Sequence, residues 1–138
     1  MQSCYWSIDK LPGLSNLEQK LLQQNGIKST QDLLLNCQTI HAKNLLASKL
    51  HLHIKHINKW VALADLARIP SVGYQYCGLL LHSGIASVTQ LSQISLQKLH
   101  PNIKRLCIAT MQRQDLSPSL TRVKKWIEEA KLLSKTRY

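Results

Sequence analysis

Apolar positions along this chain fall at helical intervals almost throughout. In GLSNLEQKLLQQNG (13–26), Leu14, Leu17, Leu21 and Leu22 recur at the spacing of one helix face, and Gly26 follows as a stop in the left-handed region. Ser29 is placed to cap a second short helix over TQDLLLNC, and a third is predicted over about 42–50. In IKHINKWVALADLARI (54–69), Ile54, Ile57, Val61, Ala64 and Leu66 form a stripe that stops before Pro70. The second half follows the same plan. Gly84 ends YQYCGLLLHSG and Ser87 caps VTQLSQIS. A helix is then predicted over about 103–111 with Pro101 near its start, and Ser117–Pro118 opens a last helix reaching about Lys135. No stretch alternates as a strand would. The expected fold class is all-α, with eight to ten short helices.

The two halves are versions of one unit. Aligned without a gap, 11–33 and 69–91 share Pro12/Pro70, Leu21/Leu79, Leu22/Leu80, Gly26/Gly84, Ile27/Ile85, Ser29/Ser87 and Leu33/Leu91. INKWVALADL (57–66) then matches VKKWIEEAKL (123–132) at Lys, Trp, Ala and Leu, with an insertion of eight residues near ATMQRQDLSPS. The chain divides accordingly into a first unit, 1–68, and a second, 69–138, which carries the C-terminal helix. Trp60 and Trp126 recur at equivalent places, as a core anchor of each unit would.

Charge narrows the field of partners. Eighteen Lys and Arg against seven Asp and Glu leave a formal charge of +11, a field that attracts polyanions without specifying one. The second half is the more cationic, through Lys104, Arg105, Arg113, Arg122, Lys124, Lys125, Lys131 and Lys135. Lys124, Lys131 and Lys135 fall near one helix face, which also reads as an ordinary solvated surface. The N-terminus lacks the basic and apolar regions of a signal peptide, and no run is long enough for a membrane span. Cys4, Cys37, Cys77 and Cys107 show no C-x-x-C spacing, so free thiols in a reducing cytoplasm are expected.

Between the helical stretches lie two related turns, LPGLSN and IPSVGY. An apolar-Pro-Gly-apolar-Gly turn between helices is the hairpin of the helix-hairpin-helix motif, whose glycines let the backbone approach a phosphate. Each copy here keeps one glycine. Ser15 replaces the second in the first copy, and Ser71 replaces the first in the second copy. Amides near Gly13, Leu14 and Ser15, and near Ser71, Val72 and Gly73, are the candidate phosphate contacts, with Lys104, Arg105, Arg122, Lys124 and Lys125 adding charge. The competing reading is that both are simply compact turns between helices.

These turns, the GI-x-S-x-x-x-L steps and the closing VKKWIEEAKLL together resemble a group of uncharacterised bacterial proteins, frequent in cyanobacteria, built from tandem helix-hairpin-helix-like units. The resemblance covers nearly the whole chain, although PSVG departs from the group's usual Gly-Val-Gly. It implies two such units forming one compact domain. The wider resemblance to helix-hairpin-helix modules of DNA repair proteins implies sequence-independent contact with a DNA backbone; related modules also serve as protein–protein contacts.

Catalytic chemistry finds no foothold in the sequence. Glu128 and Glu129 are adjacent on a helix and point about 100° apart. No nucleotide loop, nucleophile elbow or metalloprotease motif occurs. Of His51, His53 and His56, the last two have helical metal-ligand spacing, but no carboxylate or cysteine lies nearby in sequence; surface histidines are expected, and no metal or cofactor. Tyr74 and Tyr76 are the aromatics best placed to touch a ligand. The expected function is non-catalytic binding of a DNA backbone, the alternative an adaptor that grips an acidic protein partner.

Overall fold

A computed structural model describes residues 2–111 and 118–134. Arg113, Ser117, Lys135 and most of the predicted insertion lie outside the described residues. Eight α-helices occur within them: α1 (Asn16–Gln24), α2 (Thr30–Asn36), α3 (Ile40–Leu50) and α4 (Ile54–Ala67), then α5 (Gly73–His82), α6 (Val88–Gln93), α7 (Leu96–Met111) and α8 (Leu120–Leu133). No strand occurs among the described residues, which contain a single isolated bridge between Ser7 and Ser29. The fold is all-α.

Each Gly-Ile step is a Schellman helix end. Gly26 (φ +81°) donates to Gln23 O and Ile27 to Leu22 O; Gly84 (φ +94°) donates to Leu81 O and Ile85 to Leu80 O. Ile27 and Ile85 are buried, as are the Leu22 and Leu80 whose carbonyls they bond, so each step both stops a helix and adds a core residue. Three residues past each glycine, Ser29 Oγ accepts from Asp32 N and Ser87 Oγ from Gln90 N, starting α2 and α6.

The closing helix of each half carries the core. α4 packs on α2, α3 and α5, and α8 on α6 and α7. Trp60 and Trp126 are both buried. Each buries roughly 4–6 kcal/mol of transfer free energy, taken as an upper bound. Asp65 on α4 ties the halves together. Its Oδ1 pairs with Arg68 Nε at 2.9 Å, and its Oδ2 accepts from Val88 N, the first residue of α6, at 2.8 Å. The N-terminal segment is strapped on by backbone bonds, Thr30 N to Trp6 O and Cys4 N to Arg68 O, and by Trp6 Nε1 donating to Ala67 O.

Three expectations change. α7 begins at Leu96 and holds Pro101 inside it, because Ser95 O receives both Lys98 N and Leu99 N and starts the helix about two turns before the expected start near 103. α8 is capped by Ser119, whose Oγ accepts from Arg122 N, two residues beyond the predicted cap. Leu17 is 68% exposed, since it lies about 140° round α1 from buried Leu22.

Candidate functional site

The turn after Pro12 precedes α1 and follows a single 3-10 turn, Ile8–Lys10. Gly13 takes φ +82°, a conformation that disfavours a side chain, and the residue is exposed. Among the described residues no protein acceptor takes the Gly13 or Leu14 amide. The Ser15 amide is differently placed. It donates to Glu18 Oε1 at 2.9 Å while Ser15 Oγ accepts from Glu18 N, a reciprocal capping box that withdraws Ser15 from the phosphate set. Lys59 reaches across from α4, its Nζ 3.5 Å from where a Cβ on Gly13 would lie. Gly13, Lys59, Leu63 and His82 line a small cavity of about 70 Å³ at this turn. Two amides without a protein acceptor and one ammonium therefore lie at the same turn.

The turn after Pro70 joins α4 to α5 and spends its amides internally. Ser71 N donates to Glu129 Oε1 at 3.0 Å, and Ser71 Oγ to Glu129 Oε2 at 2.6 Å. Val72 N and Gly73 N both donate to Ile69 O, and Trp126 Nε1 donates to Ser71 O. The expectation that Ser71, Val72 and Gly73 offer amides to phosphate is thus corrected: a buried carboxylate of the same chain holds the position an outside anion would take. Gly73 does have positive φ, +55°, but its missing side chain makes room for Trp6, whose ring lies 3.3 Å from a Cβ built there.

The repeat register explains the asymmetry. The alignment that pairs Trp60 with Trp126 pairs Lys59 with Lys125 and Leu63 with Glu129. The first turn faces leucine, which cannot accept a hydrogen bond; the second faces glutamate, which accepts two. In the sequence Lys59 was matched only as a repeat residue and Glu129 weighed only as an acid beside Glu128; neither was read as a partner of a turn. The signal for both was present, in the lysine that precedes tryptophan in each half and in a carboxylate standing at a core position of α8.

The basic residues do not form one cluster. Lys125 and Arg122 share a cavity with Ser71, whereas Lys124 lies in another with Glu128 and Lys131. Arg105 donates to Asn102 one turn back on α7. No described cavity or hydrogen bond brings Lys104 or Arg105 to either turn. Tyr74 packs edge-on to Trp6 at 5.0 Å, and Tyr76 lies against Trp126 at 5.1 Å. Of the histidines, His53 caps α4 through Nδ1, which accepts from Lys55 N, and His56 lies beside Trp60. No group of three or more metal-ligating side chains occurs among the described residues. No helix among them is long and apolar enough to cross a membrane.

Fold and charge thus define a small basic all-helical protein. The chain belongs to the family described as "Domain of unknown function (DUF4332)", which matches residues 12–133. No curated protein and no solved structure matches the chain.

Proposed function

We propose that this protein binds the phosphate backbone of DNA without reading its sequence and without catalysis, through tandem helix-hairpin-helix-like units of which only the first grips phosphate by its turn. One observation carries this reading: the unpaired Gly13 and Leu14 amides beside the Lys59 ammonium. Backbone N–H groups at a left-handed glycine admit an anion closely, and the lysine adds a point charge at the same place. The +11 charge supplies attraction at long range. Phosphate contacts of this kind position a protein on a duplex and carry no base information.

Binding of a random-sequence duplex, measured by fluorescence anisotropy across salt, tests the reading. About four neutralised phosphates give a slope near −3.6 in log K against log salt. Gly13→Val and Lys59→Ala each weaken binding equally for every sequence. A purely diffuse cation predicts that Gly13→Val has no effect. Absence of binding to duplex or single strands at ~50 mM salt, by folded protein, removes the DNA reading.

The adaptor alternative draws support from the second turn. All three of its candidate amides are bound inside the protein, so that turn serves as scaffold. An acidic protein surface would then meet the same cations.

A further inference from the structure

Beside the closed second turn, an open cavity of about 440 Å³ lies between the start of α5 and the first turns of α8. Tyr76, Ser119, Thr121, Arg122 and Lys125 line it, and among the described residues no carboxylate does. The nearest acid on α8's inner side, Glu129, is buried, and both its oxygens are held by Ser71. Two cations and several hydroxyls therefore face the same space.

Arg122 is held in place before any ligand arrives. Its guanidinium lies over the Tyr76 ring, 5.2 Å from the centroid, and its Nη1 donates to Tyr76 Oη. Tyr76 is in turn seated against buried Trp126. A long cationic side chain ordinarily loses much conformational freedom on binding, and here the aromatic pair has already restricted it. One N–H of the fork is used on the tyrosine, and the others have no protein acceptor among the described residues. Ser119 Oγ accepts from Arg122 N, which leaves its own O–H free to donate. Lys125 stands three residues on from Arg122, on the same side of α8.

We infer that this cavity is a seat for the phosphate group of an ester, built from Arg122, Lys125, Ser119 and Tyr76 and independent of the turn amides. The guanidinium fork supplies geometry, the lysine supplies charge, and the tyrosine positions the arginine. The ligand chemistry is a tetrahedral dianion or a phosphodiester, and the seat does not require that the partner be DNA.

Titration of the full chain with inorganic phosphate, followed by backbone amide NMR, reads the seat directly. Resonances of 119–122 and 125 move and saturate, while chloride at equal ionic strength leaves them in place. Arg122→Gln and, separately, Lys125→Gln abolish saturation or weaken it at least fivefold; both side chains are exposed, and an unchanged far-ultraviolet circular dichroism spectrum certifies the fold. Tyr76→Phe, which keeps the ring and removes the hydroxyl, weakens it severalfold. Gly13→Val leaves it unchanged. Shifts that do not saturate, that chloride reproduces, or that survive Arg122→Gln overturn the seat. A random duplex and a phosphomonoester such as glycerol phosphate separate the two sources. Competition by the duplex, with Arg122→Gln reducing its salt slope by about one, marks a backbone phosphate. Saturation by the monoester with no competition from duplex keeps the seat and removes its link to DNA.

Discussion

Ser71 and Glu129, 58 residues apart, close on each other through two hydrogen bonds, amide to Oε1 and hydroxyl to Oε2. The turn most like an anion-binding loop in the second half thus holds an anion belonging to the chain. Leu63 occupies the matching place in the first half, and the Gly13 turn is left with open amides. One substitution between repeats distinguishes a structural turn from a candidate binding turn.

Removing that carboxylate leaves Ser71 N without its acceptor in a half-buried setting. Glu129→Leu is expected to cost about 1–3 kcal/mol, and Glu129→Gln, which keeps an acceptor oxygen, to cost less. Urea midpoints at constant slope read the difference.

Gly73→Ala combines a left-handed backbone with a contact against Trp6. Gly26→Ala has similar strain, with nothing within 4 Å of the added carbon. The strain alone costs roughly 1–2 kcal/mol, so Gly73→Ala is expected to exceed Gly26→Ala in thermal unfolding. Equal losses would show that Trp6 yields freely.

Asp65 both pairs with Arg68 and accepts the first amide of α6. Asp65→Ala is expected to destabilise by about 3 kcal/mol, the lower end for breaking a buried pair, because Arg68 keeps its bond to Ser3 Oγ. Hydrogen exchange at Val88 is expected to rise more than exchange within α3.

Burial pushes the Cys37 thiol up to about 11 and the Cys77 thiol up to about 12, against an ordinary value of 9.0. Native protein at pH 8 should therefore resist iodoacetamide at both and label first at the part-exposed Cys4. The folded state keeps protons that the unfolded state releases above about pH 9. These two thiols thus contribute full stability below that pH and lose it progressively toward pH 12. Mass spectrometry of labelled peptides, native and in urea, checks the first point; urea midpoints at pH 8 and 10 check the second.

Lys59 and Ser71 separate the roles of the two turns in nucleic-acid binding. Lys59→Ala is expected to lower the salt slope by about 0.9, whereas Ser71→Ala changes stability and leaves the slope in place. A slope lowered equally by both would return the second turn to the binding surface.

The all-helical class, the helix stops at Gly26 and Gly84, the caps at Ser29 and Ser87 and the two tryptophan anchors were legible in the sequence. The stops and caps depend on residues within a few positions of one another, where backbone geometry and side-chain spacing decide the outcome, and the tryptophans stood out by recurring at equivalent places in the two halves. The start of α7 and the cap of α8 were misjudged because prolines mark where a helix can begin, not where neighbouring carbonyls let it. The fate of the turns was not legible at short range. Gly13 and Gly73 are the glycines that the two related turns keep, yet one stands open beside Lys59 and the other is filled by Trp6, which lies 67 residues earlier in the chain. Whether an amide is free depends on which distant acceptor reaches it, and only the packing of α8 against the second turn brought Glu129 to Ser71.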